Sequence, residues 1–173
     1  MRGHFDKGLA MECKAEPKYV RESSIVVVQQ MVQQDANLAG NVHGGVIMKL
    51  IDNTAGIVAL RHSCGITVTA SLDRLDFHSP VYVGNLLRLI ASINMVGRTS
   101  MEIGVRVEAE DPLTGEVRHT ASAYLTFVAL DGNGKPRPVP QLNFETEDEE
   151  RRNEEAKLRR KLRLEEKTRE HRS

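Results

Sequence analysis

The stretch His43 to Leu60, HGGVIMKLIDNTAGIVAL, constrains the fold of this chain more than any other. Its apolar residues fall on nearly every side of a 3.6-residue period, so it reads as a helix, about Gly44 to Ser63, buried on most of its circumference. Such a helix needs a wall around it. A strongly curved antiparallel sheet can wrap one helix and bury almost its whole girth. Within this segment Asp52 resists a packing role, because a carboxylate among apolar residues is costly unless it is paired or used. It is a candidate catalytic base or nucleophile, with a structural ion pair to an Arg or His as the alternative. Met48, Asp52, Ala55, Gly56 and Ala59 share one helical stripe, mostly of small residues, which suits the approach of a ligand.

The wall is legible in strand-like runs at Ser24 to Gln34, Ile66 to Leu75, Leu86 to Val96, Met101 to Ala109 and Thr120 to Leu130. In Met101 to Glu108 apolar and mostly polar residues alternate, as in a strand with one face on a core and one in water. Asp35 to Asn41 is turn-rich, Asp111 to Glu116 reads as a hairpin turn, and Asp131-Gly132-Asn133-Gly134 ends the series. The predicted fold class is α+β: a curved five-stranded antiparallel sheet around one long central helix, spanning 18–134. An N-terminal extension over 1–17 precedes it, with Met11 as an alternative start.

The rest of the chain differs in kind. The Pro136-Arg137-Pro138-Val139-Pro140 stretch makes 135–144 a stiff connector. Residues 145–173 hold 10 acidic and 10 basic side chains, with Leu158, Leu162 and Leu164 as the large apolar ones. Glu147 and Arg151, Asp148 and Arg152, Glu155 and Arg159, and Glu165 and Arg169 stand four apart with the acid first, which supports a solvated helix leaving the domain. A phosphate-binding or partner-binding role is the alternative for this tail.

Charge and cysteine usage exclude several classes. With 24 basic and 24 acidic residues the chain has no net field for nucleic acid or an anionic membrane. No run reaches the roughly 18 to 20 apolar residues of a membrane helix, and Met1 to Lys14 lacks the apolar core of a signal peptide. Cys13 and Cys64 are too few for a disulfide framework or a thiolate zinc site, so a cytoplasmic location is expected. His43, His62, His78 and His119 have no zinc-like spacing, and neither a Gly-x-Ser-x-Gly elbow nor a phosphate loop is present. No metal or redox cofactor is expected.

Several blocks together carry a family resemblance: Asp35-Ala36-Asn37, Gly40 to Gly45, Met48-Lys49, Asp52, Ala55-Gly56, Arg61-His62, and Val68-Thr69-Ala70-Ser71. Phe77 to Pro80, Arg98 to Glu102, Ala121-Ser122-Ala123, Phe127, Pro138 to Leu142 and Glu145 to Glu149 extend it into the tail. The chain resembles the acyl-CoA thioesterases of the hotdog fold. That resemblance implies hydrolysis of fatty acyl-CoA to free fatty acid and coenzyme A. Some relatives join two such domains in one polypeptide, with the functional Asn and Asp in different domains. A single domain therefore implies a homodimer, and the family implies a trimer of dimers.

Thioester hydrolysis needs an activated water or an attacking carboxylate, with donors aimed at the developing oxyanion. Asp52 is the candidate for the first role. Gly45, at a helix start with unpaired amides and a positive dipole end, is the candidate donor, with Gly44 beside it. Asp52 lies roughly 10 Å along the helix axis from Gly45, so a single helix would struggle to bring both to one carbonyl. Asn37 of one subunit, holding the water or thioester by its amide, is expected to face Asp52 of the other. Asn37 as a plain turn residue and Gly44-Gly45 as a tight helix entry are the plainer readings. For the coenzyme phosphates, Arg98, Thr99 and Ser100 at a turn are similar to the family's coenzyme-contacting turn. Gly44, His78 and Pro80 would line the same coenzyme cleft, and Met48, Ile51 and Ala55 the acyl cleft. Two other functions fit the same residues: a hydroxyacyl-thioester dehydratase using His43 with Asp52, and a non-catalytic acyl-CoA sensor with the tail as effector.

Overall fold

The computed structural model describes residues 16–170. Met11, Cys13 and most of the expected N-terminal extension lie outside the described residues. The elements in chain order are β1 (Lys18–Tyr19), a short helix α1 (Val20–Ser23), β2 (Ile25–Gln30), a 3-10 turn (Gln33–Asp35), α2 (Gly44–Ser63), β3 (Thr67–Phe77), β4 (Leu86–Val96), β5 (Ser100–Glu110), β6 (Val117–Ala129), β7 (Leu142–Asn143) and α3 (Glu147–Glu170).

Strands β2 to β6 form one antiparallel sheet in the order β2-β4-β5-β6-β3, with β2 and β3 at its edges. Alternate residues of the central strands point at α2: Leu87, Leu89, Ala91 and Ile93 of β4, Ile103, Val105 and Val107 of β5, and Ala123, Leu125 and Phe127 of β6 are all buried. They close on Ile47, Ile51, Ala55, Val58 and Ala59 of α2. Each fully buried Leu or Ile of this set contributes on the order of 1.5–3 kcal/mol. The α+β architecture expected from the sequence is the one observed, and α2 runs over the predicted residues. It opens at His43, whose ring accepts the Gly45 N–H, and closes at Cys64 in the left-handed conformation (φ 51°).

The first strand is shorter than expected. Val32 N–H donates to Asp35 Oδ2 at 2.9 Å, folding Gln33–Asp35 into a turn that a continuous strand through Gln34 would break. Gly115 at φ 74° allows the tight connection between β5 and β6, where Asp111 N–H reaches Glu116 O at 2.9 Å.

Helix α2 is not wrapped on all sides. Met48, Ile57 and Leu60 are exposed, as are Lys49, Asn53 and Arg61, so its own sheet covers one side only. The stripe containing Asp52 is therefore split: Ala55 and Ala59 belong to the core, Met48 faces out, and Asp52 and Gly56 lie between.

The proline connector is clamped to the end of α2. His62 Nε2 bonds Pro140 O at 2.9 Å, and Arg137 Nη2 donates to Ser63 O at 2.6 Å. Lys18 Nζ donates to Arg61 O and His62 O at 3.2 and 2.9 Å. Two cations thus meet the negative end of the helix dipole. Burial pulls the pKa of both Lys18 and His62 below the ordinary values, against weaker opposing effects: Glu22 on Lys18, and chiefly the Pro140 bond on His62. Beyond this clamp β7 pairs in parallel with β1, Lys18 opposite Leu142.

Helix α3 also departs from expectation. It is charged and helical as read, but it lies on the outer face of the sheet with Asn153 and Ala156 buried. Of the four expected pairs Asp148 with Arg152 forms at 3.2 Å, and Glu155 with Arg159 is stretched to 4.0 Å. Arg151 binds Asp148 and Glu155 instead of Glu147. Arg159 reaches across to the sheet.

Candidate functional site

The sequence-derived candidates fall into three groups within one protomer. The first surrounds the start of α2. Asn37 sits in a loop closed by the Ala36–Val42 bridge and by its own N–H bonding Asn41 O at 2.7 Å. Its side-chain oxygen accepts from Ala39 N–H at 2.8 Å, an Asx turn that fixes the amide plane. The amide nitrogen donates to none of the described residues. Gly44 lies against the Phe77 ring, where a Cβ would come within 3.6 Å of it. His78 and Pro80 follow Phe77, and with Gly44, Asn41 and Ile47 they line a cleft of about 320 Å³. The Asn41 Oδ1 beside this cleft is buried without a hydrogen-bond partner, an acceptor left open where most buried acceptors are filled.

His43 lies here too, by the helix start and away from Asp52. Its Nδ1 takes the Gly45 N–H at 3.0 Å, so the amide singled out as an oxyanion donor is held by a ring that must turn aside to release it. His119, which the sequence offered only as a zinc ligand of the wrong spacing, packs against His78 with ring centroids 4.9 Å apart and planes tilted by 41°, and bonds Ser122 Oγ at 2.9 Å. No spacing in the sequence links these two histidines; the register of β6 beside the end of β3 does.

The second group is Asp52 with Thr69. Asp52 is half-buried, and its Oδ1 accepts a hydrogen bond from Thr69 Oγ1 at 2.8 Å. The hydroxyl fixes one carboxylate oxygen and leaves the other directed away from it. Asp52 thus lies at the boundary of the buried side of α2 with a hydroxyl partner, rather than among apolar residues on every side. The arrangement also adds a residue whose only sequence signal was its place in the Val68 to Ser71 block. Of the side chains expected to line an acyl cleft, Ile51 and Ala55 are core residues here, and Met48 alone is on the surface.

The third group, Arg98, Thr99 and Ser100, forms the tip between β4 and β5, where Gly97 N–H reaches Ser100 O at 2.7 Å. Register places it: Ser100 pairs with Val128, and Val128 with Val68. It therefore sits at the end of the sheet where β3 starts, near Thr69. The cleft with Gly44, His78 and Pro80 sits where β3 ends. One protomer does not bring the groups together.

Comparison with known proteins bears on this arrangement. Residues 39–116 match the model of the thioesterase superfamily. A solved hexameric acyl-CoA thioesterase superposes with a TM-score of 0.85 at 38% identity, covering 87% of this chain and 97% of its own. The chain belongs to the thioesterase superfamily. It is also 42% identical over 144 residues to the cytosolic acyl coenzyme A thioester hydrolase of Mus musculus, covering 82% of this chain and 38% of that protein. The acyl-CoA hydrolase of Staphylococcus aureus, solved with butyryl coenzyme A and coenzyme A, matches at a TM-score of 0.83 and 34% identity, covering 90% of this chain and 94% of its own. Structures of that enzyme with an Asn, an Asp or a Thr replaced by Ala are also similar to this chain, and those three residues have the same spacing as Asn37, Asp52 and Thr69 here.

Proposed function

We propose that this superfamily member hydrolyses acyl-CoA thioesters as a homodimer, with Asp52 of one protomer facing the partner subunit's Asn37 and the start of its α2. The observation that carries the reading is the split of the candidate residues between opposite ends of β3, an edge strand. Two β3 strands paired antiparallel about a two-fold axis bring the end of each beside the start of the other. Such a pairing joins the Asp52 and Thr69 group of one subunit to the Asn37, Gly44 and His78 group of its partner. It also brings Arg98, Thr99 and Ser100 towards the cleft, as receivers of the coenzyme phosphates.

In this site Thr69 holds one oxygen of Asp52, and the other takes the proton of an attacking water. The water oxygen bonds to the thioester carbonyl carbon while amides at the helix start receive the developing charge. The C–S bond then breaks, and the proton on Asp52 passes to the coenzyme thiolate, leaving a free fatty acid. The partner subunit's Asn37 orients the water or the carbonyl through its open amide nitrogen. No step is assigned to a metal or redox cofactor. A trimer of dimers accords with the hexameric neighbour, and a cytoplasmic setting with the cytosolic relative.

The test is subunit exchange. Asp52→Ala and Asn37→Ala are each inactive alone, with loss of about 100-fold or more. Mixed after partial denaturation and refolding, they regain about a quarter of the wild-type rate, because half of the dimers are mixed and each holds one intact site. No recovery after mass spectrometry has verified mixing would count against the shared site. Hydration of a crotonyl thioester without hydrolysis would support the dehydratase, and tight binding without turnover the sensor.

A further inference from the structure

A groove of about 660 Å³ lies between the end of β4 and the second half of α3. Its floor is apolar, made by Met95, Val96 and Leu164, and its walls carry Arg160, Lys161 and Arg169 with Glu165 as the one acid. Lys157, at the same mouth, is paired with Glu154 at 2.6 Å. Arg160, Lys161 and Arg169 have no acid partner among the described side chains. Arg160 is also half-buried, which is unusual for a guanidinium without an anion.

Glycine at 97 makes this placement possible. A Cβ there would lie 2.6 Å from Arg160 Nη1, so the guanidinium rests against backbone that only glycine leaves open. Gly97 directly precedes Arg98, Thr99 and Ser100. The groove is thus continuous with the turn offered to the coenzyme, and Arg98 adds another cation without a described acid partner at its edge.

We propose that this groove binds the phosphorylated adenosine end of the acyl-CoA substrate, the adenine ring lying on Met95, Val96 and Leu164 and the ribose phosphate meeting Arg160 and Lys161. The assignment rests on the acyl-CoA reading of the preceding section and gives α3 a role in substrate recognition. Planar guanidinium and ammonium groups over an apolar floor match a purine bearing phosphate better than they match a fatty chain or an acidic peptide.

The test combines binding with kinetics. Calorimetry with adenosine 3′,5′-bisphosphate on the full chain gives binding to wild type that weakens by roughly ten-fold or more in Arg160→Gln/Lys161→Gln, as expected for lost charge-assisted hydrogen bonds. Gly97→Ala, which pushes Arg160 aside while keeping its charge, weakens binding in the same direction. In turnover assays the double variant raises KM for acyl-CoA by a similar factor at unchanged kcat, and leaves hydrolysis of the matching acyl-pantetheine, which lacks the nucleotide, unaltered. Equal bisphosphate affinity in wild type and double variant, or no binding to wild type, overturns the groove assignment. Bisphosphate binding that depends on Arg160 in a protein that hydrolyses no acyl-CoA would overturn the enzymatic reading and leave the groove as a nucleotide site.

Discussion

His62 sits on the buried side of the last turn of α2, and its Nε2 meets the Pro140 carbonyl at 2.9 Å, so that nitrogen carries the proton. Burial holds its pKa below the ordinary histidine value. Above about pH 6.5 the ring is neutral in both the folded and unfolded chain, and stability is independent of it. As pH falls below that value the unfolded chain takes up the proton first, so stability is lost progressively until the depressed folded pKa is reached. Urea denaturation at pH 7.5 and 5.5 is expected to give a smaller loss in His62→Gln than in wild type. At the same scale, sequence legibility was uneven. Asp52 stood out as a carboxylate among apolar neighbours, and Gly44 and His78 do share a cleft. Thr69 did not stand out, because a threonine in a strand is ordinary until its hydroxyl is seen on Asp52. The capping of Gly45 by His43 was equally hidden, since it depends on the ring's rotamer.

Element boundaries were legible wherever hydrophobic period and turn chemistry agreed, as in α2 and β4. The docking of α3 was not, for a physical reason. Its contact face is Asn153, Ala156, Arg159 and Arg163, which is helically spaced but polar, so no apolar stripe announces it. The sheet face it meets is polar in the same way. Asn153 Nδ2 donates to Asn94 O at 2.9 Å, Arg159 binds the fully buried Glu102 at 2.7 Å and lies 3.8 Å from the Tyr124 ring centroid, and Arg163 binds Asp73. Removing one partner of a buried pair leaves the other charge uncompensated, whereas removing both often costs little. Arg159→Ala is therefore expected to destabilise the fold by about 3 kcal/mol. Glu102→Gln/Arg159→Met is expected to cost less than that single change. Urea midpoints of the three proteins decide it, and a double variant as weak as Arg159→Ala would remove the pair as the anchor of α3.

At the scale of the whole molecule, the apolar girth of α2 and the exposure of one side of it belong to the same account. Sequence counts every apolar residue of a helix that must be covered, without saying by which chain. Met48, Ile57 and Leu60 face outward, on the side of α2 that its own sheet does not cover. Beside them β3 has 11 residues, none of them buried, with Val68 and Leu72 on the surface and one edge unpaired. A long apolar edge strand next to an apolar helix face exposes the isolated chain to aggregation unless something covers it. In the proposed homodimer a second copy joined edge to edge would cover both surfaces and assemble the divided site in the same contact. A charge at the centre of that edge separates assembly from chemistry, because Leu72 is no part of the catalytic proposal. Leu72→Lys is expected to shift the sedimentation coefficient to that of a monomer and to lower kcat/KM by about 100-fold or more through loss of the facing groups, with the far-UV circular dichroism of the protomer kept. A monomeric Leu72→Lys with wild-type turnover would mean that one chain holds a complete site, and the division of labour between Asp52 and Asn37 would fall with it.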